Sequence, residues 1–375
     1  MIDGEGATNE TRVWQEPAVG GYPDPATFGL SGLERMQASR GGRIPIPPIA
    51  YLLEFPFREL SKGAASFEIP ASPWFANSAG LIPGGMLAVL ADAPLGGAIH
   101  TEMPPGVAFT TAEISLSFLR PVYPDAEAKI SGSGHTIHTG RTIALSEAFM
   151  INEASGELVA HGTSRCSIFP PIDPIPEPPA ELPVLDQPYP GDDPSHPLQR
   201  PLRGAPADQE LFDRLSGLEF MRAQVNGELP APPIHYLTGV RPTAAAEGTV
   251  TFVLPCSPWL STSFRTVQGG FTAMLAEFAL TGASFTTAVA GEAVASLDLK
   301  VNFLRPVLPD MRDLTAEGEV IHRGRSISVA SSRVMNADGK PVALATGSAM
   351  FLPGRPASLT GVEQFGSSDA DESGR

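Results

Sequence analysis

The sequence predicts an α+β fold built twice over: two copies of one domain in tandem, each an antiparallel sheet wrapped around a single central helix. Three observations predict it. The stretch from Pro83 to His100, PGGMLAVLADAPLGGAIH, and that from Gln268 to Phe285, QGGFTAMLAEFALTGASF, share a Gly-Gly opening, a run of small and apolar residues, and one carboxylate at the same place. Each is followed by segments in which polar and apolar residues alternate, the period of a strand with one buried face. The two halves also match in one register, 185 residues apart, over too many motifs for chance.

Residues 1–27 are polar and rich in Gly and Pro, and are expected to be flexible. From Phe28, FGLSGLERMQ has helical spacing with Ser31 as its cap and ends at Gly41-Gly42. IPIPPIAYLLEF then reads as a turn into a strand. The Gly-Gly helix follows, although Pro94 is expected to interrupt or kink it. Thr110 to Phe118 alternates as a strand. AKISGSGHTI turns at Thr139-Gly140 into TIALSEAFM, which reads as a hairpin, and Glu153 to Gly156 marks a further turn. In the second half Gly217, Leu218, Glu219 and Met221 repeat Gly32, Leu33, Glu34 and Met36, and Ser257-Pro258-Trp259 repeats Ser72-Pro73-Trp74. Phe303-Leu304-Arg305-Pro306-Val307 repeats Phe118-Leu119-Arg120-Pro121-Val122, and further turns lie at Arg323-Gly324 and Asp338-Gly339. The domains are therefore set at 28–169 and 207–354. The proline-dense segment 170–206 between them favours a stiff, extended tether, and the acidic tail 355–375 is expected to be disordered.

Composition narrows the function. With 375 residues, 42% of them hydrophobic and 18% charged, the chain suits a soluble globular protein of more than one domain. A formal net charge of −16 argues against a nucleic-acid surface, which needs clustered Lys and Arg. No apolar run reaches the roughly 20 residues of a membrane helix. The opening MIDGEGATNE lacks the basic and apolar regions of a signal peptide, so a cytoplasmic protein is expected. Cys166 and Cys256 have neither disulfide-framework nor metal-ligand spacing, and no metal site is expected.

The repeated helices carry the candidate chemistry. Asp92 lies eight residues after Gly84, and Glu277 eight after Gly269. Eight residues span about 12 Å of helix axis. A helix's own amino end and its own carboxylate therefore cannot both touch one carbonyl group; if both act, each is completed by the other repeat. Exposed amides at a helix amino end suit stabilisation of a developing oxyanion, and the glycines, Gly84-Gly85 and Gly269-Gly270, let a substrate approach closely. A carboxylate suits general-base or nucleophilic attack. Thr281 lies one turn beyond Glu277 on the same face, where the first repeat has Gly96.

Gly-Gly, then Leu-Ala-Asp/Glu, then a strand ending Phe-Leu-Arg-Pro-Val resembles the hotdog-fold acyl-CoA thioesterases of the PaaI-like family over about 45–170 and 230–353. The resemblance implies two tandem hotdog domains pairing as an intramolecular pseudo-dimer, with sites between side-by-side helices. It implies hydrolysis of acyl-CoA to free acid and CoA without a further cofactor, CoA entering as part of the substrate. It puts the amide donors at Gly84 and Gly269, pairs Glu277 with Thr281, and matches Gln268 to the polar residue that precedes the first glycine. Pro83 departs from that pattern.

Two unequal sites follow: Gly84 with Glu277 and Thr281, and Gln268 and Gly269 with Asp92. The first is expected to be the active one and the second degenerate. Arg141, Arg323 and Arg325, at hairpin turns, are expected to reach the CoA phosphates. A homo-oligomer of the double-hotdog chain is expected by analogy. The competing reading is a non-catalytic acyl-CoA-binding or assembly protein on the same fold.

Overall fold

Ser31 and Ser216 open matching helices in the two halves. In each the hydroxyl accepts from the amide of the glutamate three residues on, and that carboxylate returns to the serine amide. This reciprocal cap satisfies two otherwise orphaned donors. A computed structural model describes residues 12–191 and 196–359. In the first half the elements are α1 (Gly32–Arg40), α2 (Pro48–Leu53), β1 (Phe57–Ser61), β2 (Ala64–Pro70), α3 (Gly84–His100), β3 (Phe109–Phe118), β4 (Lys129–Thr139), β5 (Ile143–Asn152) and β6 (Glu157–Ile168). In the second they are α4 (Gln209–Arg214), α5 (Gly217–Val225), α6 (Pro233–Thr238), β7 (Arg241–Ala246), β8 (Thr249–Leu254), α7 (Gly269–Phe285), β9 (Glu292–Phe303), β10 (Leu314–Arg323), β11 (Ile327–Met335) and β12 (Pro341–Pro353).

The strands form one antiparallel sheet in the order β1-β2-β4-β5-β6-β3-β9-β12-β11-β10-β8-β7. The halves meet at the β3–β9 seam, where Ile114 faces Val301 and Leu116 faces Leu299. All four side chains are buried, each such burial contributing about 1.5–3 kcal/mol. Each half-sheet curls around its own helix, α3 in the first and α7 in the second, and the two helices pack against each other in the middle of the molecule. Trp74 and Trp259 fill the core beside them.

Two local expectations are corrected. Pro48–Leu53 is a helix and not a strand. All six of its residues are buried, so the run has no polar face to set a period, and proline at the first helical position pre-sets the backbone for a turn of helix. Pro94 neither ends nor divides α3, which runs unbroken from Gly84 to His100. The facing strand β4 supplies glycine there. A Cβ added at Gly132 would lie 3.1 Å from the Pro94 ring, and one at Gly134 would lie 2.3 Å from its carbonyl oxygen.

The segment ahead of each half clasps the tryptophan of the other. Trp259 Nε1 donates to Glu16 O at 3.1 Å, Trp74 Nε1 donates to Arg200 O at 3.3 Å, and Arg200 and Glu16 form an ion pair at 2.6 Å. Residues 12–27 thus belong to the packed structure, with Val13 in the core. The proline-rich segment is tied to the first half by Tyr51 Oη, which donates to Pro188 O at 2.9 Å. The remainder of the expected flexible N-terminal segment, residues 1–11, and positions 360–375 of the expected tail lie outside the described residues. Among the described residues no helix is long and apolar enough to cross a membrane.

Candidate active site

Helices α3 and α7 run antiparallel, and glycine brings them together. A Cβ at Gly270 would sit 2.6 Å from Val89 Cα, and one at Gly85 would sit 3.0 Å from Met274 Cα. Only backbones without side chains pass at this separation. The amino end of each helix, with its outward amides and positive dipole end, therefore meets the middle of the other, where the carboxylate is.

Gly270 N donates to Asp92 Oδ2 at 3.0 Å, and Thr111 Oγ1 lies 3.5 Å from Asp92 Oδ1. In the equivalent site of the other repeat Thr281 Oγ1 donates to Glu277 Oε1 at 2.8 Å, and the Gly85 amide and the Ser296 hydroxyl complete the set. Each carboxylate is thus held by the other repeat, as helix rise requires.

Thr111 and Ser296 occupy equivalent positions on β3 and β9. The register slips between Thr111 and Glu113 in the pairing with β6, and at Ser296 and Asp298 in the pairing of β9 with β12. A bulge of this kind re-aims a side chain out of the regular alternation. Here it coincides with the two hydroxyls that reach the carboxylates.

The sites differ in access. A cavity of about 660 Å³ is lined by Asp92, Thr111, Gln268 and Gly269, together with Gly96 and His100 of α3. Neither Glu277, Thr281 nor Gly84 lines it. The cavity thus opens on the site that the sequence ranked second. The reason is the side chains one helical turn apart. Where α3 has Ala93, Gly96 and His100, α7 has Phe278, Thr281 and Phe285. The Phe278 ring packs 5.6 Å from Phe252, and Phe285 packs edge-on 5.7 Å from Phe220. Aromatic rings occupy in the second half the space left open in the first. Ala93→Phe, which copies Phe278, is expected to close this cavity. Ligand affinity should fall by roughly tenfold or more, the scale on which a pocket rejects a poor fit, with the circular dichroism spectrum unchanged.

Burial sets the electrostatics. Asp92 is 9% exposed and Glu277 3%. Loss of hydration pushes Asp92 up to about 6, against the lowering pull of the Gly270, Thr111 and Gly269 hydrogen bonds. Burial raises Glu277 as well, opposed by Thr281, Ser296 and Gly85. Cys166, whose Sγ lies 4.0 Å from Thr111 Oγ1, is pushed up to about 12 by burial and stays a neutral thiol beside the site. Gln268 Nε2 donates to Val89 O at 3.3 Å, while its buried Oε1 has no hydrogen-bond partner among the described residues.

Of the glycines, Gly269 faces the cavity, whereas Gly270 is turned into the α3 contact and holds Asp92. Arg141, Arg323 and Arg325 do not line the cavity. Arg323 is engaged by Glu292 at 3.3 Å and by the Phe351 ring, and Arg141 and Arg325 are exposed in their turns. The exposed cations that do line it are Arg40, Arg265 and Arg305. Thr111, Arg35 and His100 were not singled out from sequence. The equivalence of Thr111 with Ser296, each within a strand that follows a carboxylate-bearing helix, is the signal that marks Thr111.

The thioesterase superfamily profile matches residues 79–159 and 264–343, once in each half. Among solved structures the chain is similar to the tesB protein of Mycobacterium avium subs paratuberculosis, with 16% identity over 82% of this chain and 98% of that one and a TM-score of 0.51. It is also similar to the acyl-CoA thioesterase II TesB2 of Mycobacterium marinum, with 15% identity, 81% and 97% coverage and a TM-score of 0.47. A third is the PaaI protein from the phenylacetic acid degradation operon of E. coli, with 18% identity, 37% and 94% coverage and a TM-score of 0.33. No curated protein matches the sequence. With the family profile found once in each half, and each helix wrapped by its half of the sheet, the chain is a tandem of two thioesterase-superfamily domains in the hotdog fold.

Proposed function

We propose that this protein hydrolyses acyl-CoA thioesters and that the chemistry takes place at Asp92. The observation that carries this reading is the juxtaposition, on one cavity wall, of a buried carboxylate with the amide-bearing end of the partner helix. Gly270 N–H fixes the carboxylate. Gly269 N–H, one residue earlier at the cavity wall, exchanges its hydrogen bond to Asp92 for the thioester oxygen as that oxygen becomes negative. Asp92 takes a proton from water, whose oxygen bonds to the carbonyl carbon. The carbon–sulfur bond then breaks, and the CoA thiolate leaves with the proton Asp92 returns. Gln268 Oε1, a buried acceptor without a partner, orients the water. The exposed Arg40, Arg265 and Arg305 meet the CoA phosphates. Glu277, oriented by Thr281 on its own helix, ties α7 to α3 through the Gly85 amide.

The test is release of free CoA thiol from a panel of acyl-CoAs by the wild type, Asp92→Asn and Glu277→Gln. Turnover by the wild type and by Glu277→Gln, but not by Asp92→Asn, is the expected pattern. No turnover by the wild type on any acyl-CoA would instead mark a binding protein. The pH profile is a separate prediction. Because the base must be ionised, kcat/KM should climb tenfold per pH unit below about 6 and level off above it. A profile flat down to pH 4.5 would contradict the assignment of Asp92 as the base.

A further inference from the structure

One charge in this cavity has no part in thioester cleavage. Arg35, on α1, lines the cavity and is 8% exposed. Its Nε and Nη2 lie 3.3 and 3.1 Å from Nε2 of His100, the last residue of α3. Nη1 donates to Leu30 O at 3.1 Å, and the guanidinium lies 4.6 Å from the centre of the Phe28 ring. No carboxylate lies within ion-pair distance of Arg35 among the described residues. Burial and the adjacent guanidinium push His100 down to about 3, so it is a neutral acceptor and adds no charge of its own. A buried guanidinium without a counter-ion is costly to keep.

The fold does not need this charge. At the positions equivalent to Arg35 and His100 the second half has Phe220 and Phe285, which pack ring against ring. The same helix–helix corner is therefore closed by two aromatics in one repeat and by a cation and an imidazole in the other. The polar version occurs in the half whose cavity is open.

We infer that the Arg35–His100 pair is an anion subsite for the far end of the acyl group, and that the preferred substrates are thioesters whose acyl chain ends in a carboxylate. This inference rests on the hydrolytic reading of the Asp92 site and names its substrate class. His100 lies eight residues beyond Asp92, about 12 Å along the helix axis. Three extended backbone bonds cover roughly 3.6 Å, so an acyl chain of about five to ten bonds, after allowance for a hydrogen-bond length at each end, joins the two points. Between them Phe67, Phe109 and Gly96 provide an apolar wall for methylenes. Nε and Nη2 share the single lone pair of His100 Nε2 while Nη1 is held by the Leu30 and Phe28 carbonyls, so a donor on the His100 side is left to make a charge-assisted hydrogen bond to a carboxylate.

The experiment compares suberoyl-CoA with octanoyl-CoA, which have equal chain length with and without the terminal carboxylate, in the wild type, Arg35→Phe and Arg35→Lys. Binding of free suberate and octanoate is measured in parallel by calorimetry. The wild type should favour suberoyl-CoA in kcat/KM by about ten- to a hundredfold, the scale of a charged hydrogen bond. Arg35→Phe, which copies Phe220, should reverse the order while keeping octanoyl-CoA turnover, and Arg35→Lys should retain part of the preference. Suberate should bind more tightly than octanoate in the wild type, less markedly so in Arg35→Lys, and not in Arg35→Phe. Hydrolysis with no preference for suberoyl-CoA, or an equal loss on both substrates in Arg35→Phe, overturns the subsite and leaves the hydrolytic reading standing. Selective suberate binding without hydrolysis of either thioester supports the subsite and overturns the hydrolytic reading alone. Loss of selective suberate binding in neither variant overturns the subsite as well.

Discussion

Asp92→Asn is expected to abolish turnover while making the protein more stable. Asparagine keeps the acceptor for Gly270 N–H, so the site retains its shape. It cannot take a proton from water, and kcat should fall by roughly a thousandfold or more, in the upper part of the range for a lost acid–base group. Stability moves the other way, and the sign follows from proton binding. The folded carboxylate holds its proton up to about pH 6, whereas the ordinary value is 3.8. Between those values the unfolded chain ionises first, so stability falls as pH rises through the window and the loss is complete above about 6. Removing the ionisable group returns up to about 3 kcal/mol at pH 8, and nothing at pH 3. Thermal melts at both pH values check this. An unchanged melting temperature at pH 8 would mean that the carboxylate is not destabilised by burial.

Gly270→Ala should be the most damaging single methyl at the α3–α7 contact. Its Cβ would meet Val89 Cα at 2.6 Å, a backbone atom with nowhere to go, so α3 and α7 must separate. Overpacking at such a contact costs about 1–3 kcal/mol or more. The separation also draws the Gly269 and Gly270 amides away from Asp92. A displacement of about 1 Å lowers rate by about a hundredfold. Gly269→Ala is the comparison. Its Cβ would meet Asp92 Oδ2 at 3.3 Å and the edge of Phe303 at 3.5 Å, both side chains, so a smaller loss of stability is expected. Chemical denaturation of the two variants ranks them; equal midpoints would show that the helix contact yields without cost.

The repeat explains why so much was legible. Spacing implied that, if amide and carboxylate act on one carbonyl group, each carboxylate needs the other repeat's amide, because a helix has a fixed rise; the Asp92–Gly270 and Glu277–Gly85 contacts agree with that constraint. Capping at Ser31 and the turns at Gly140, Gly156, Gly324 and Gly339 are local chemistry and were equally readable. Pro48–Leu53 was not, since a short run buried on every side has no period. The open cavity at Asp92 was not legible for a different reason. Thr281 beside Glu277 looked better equipped than Gly96 beside Asp92, yet the missing side chains at Ala93 and Gly96 are what leave room for a ligand. Volume depends on packing across α1, α3 and a loop of the other half, which no spacing records. Arg35 escaped notice because it lies on a helix remote in sequence from both Gly-Gly motifs, although its replacement by Phe220 in the repeat was visible.

The most direct measurement is a crystal structure with a non-hydrolysable acyl-CoA ketone analogue, in which a methylene replaces sulfur. The account predicts the ketone oxygen at hydrogen-bond distance from Gly269 N with the Asp92 carboxylate beside its carbon. The same ketone bound between Gly84 and Glu277, with the cavity at Asp92 vacant, would contradict it.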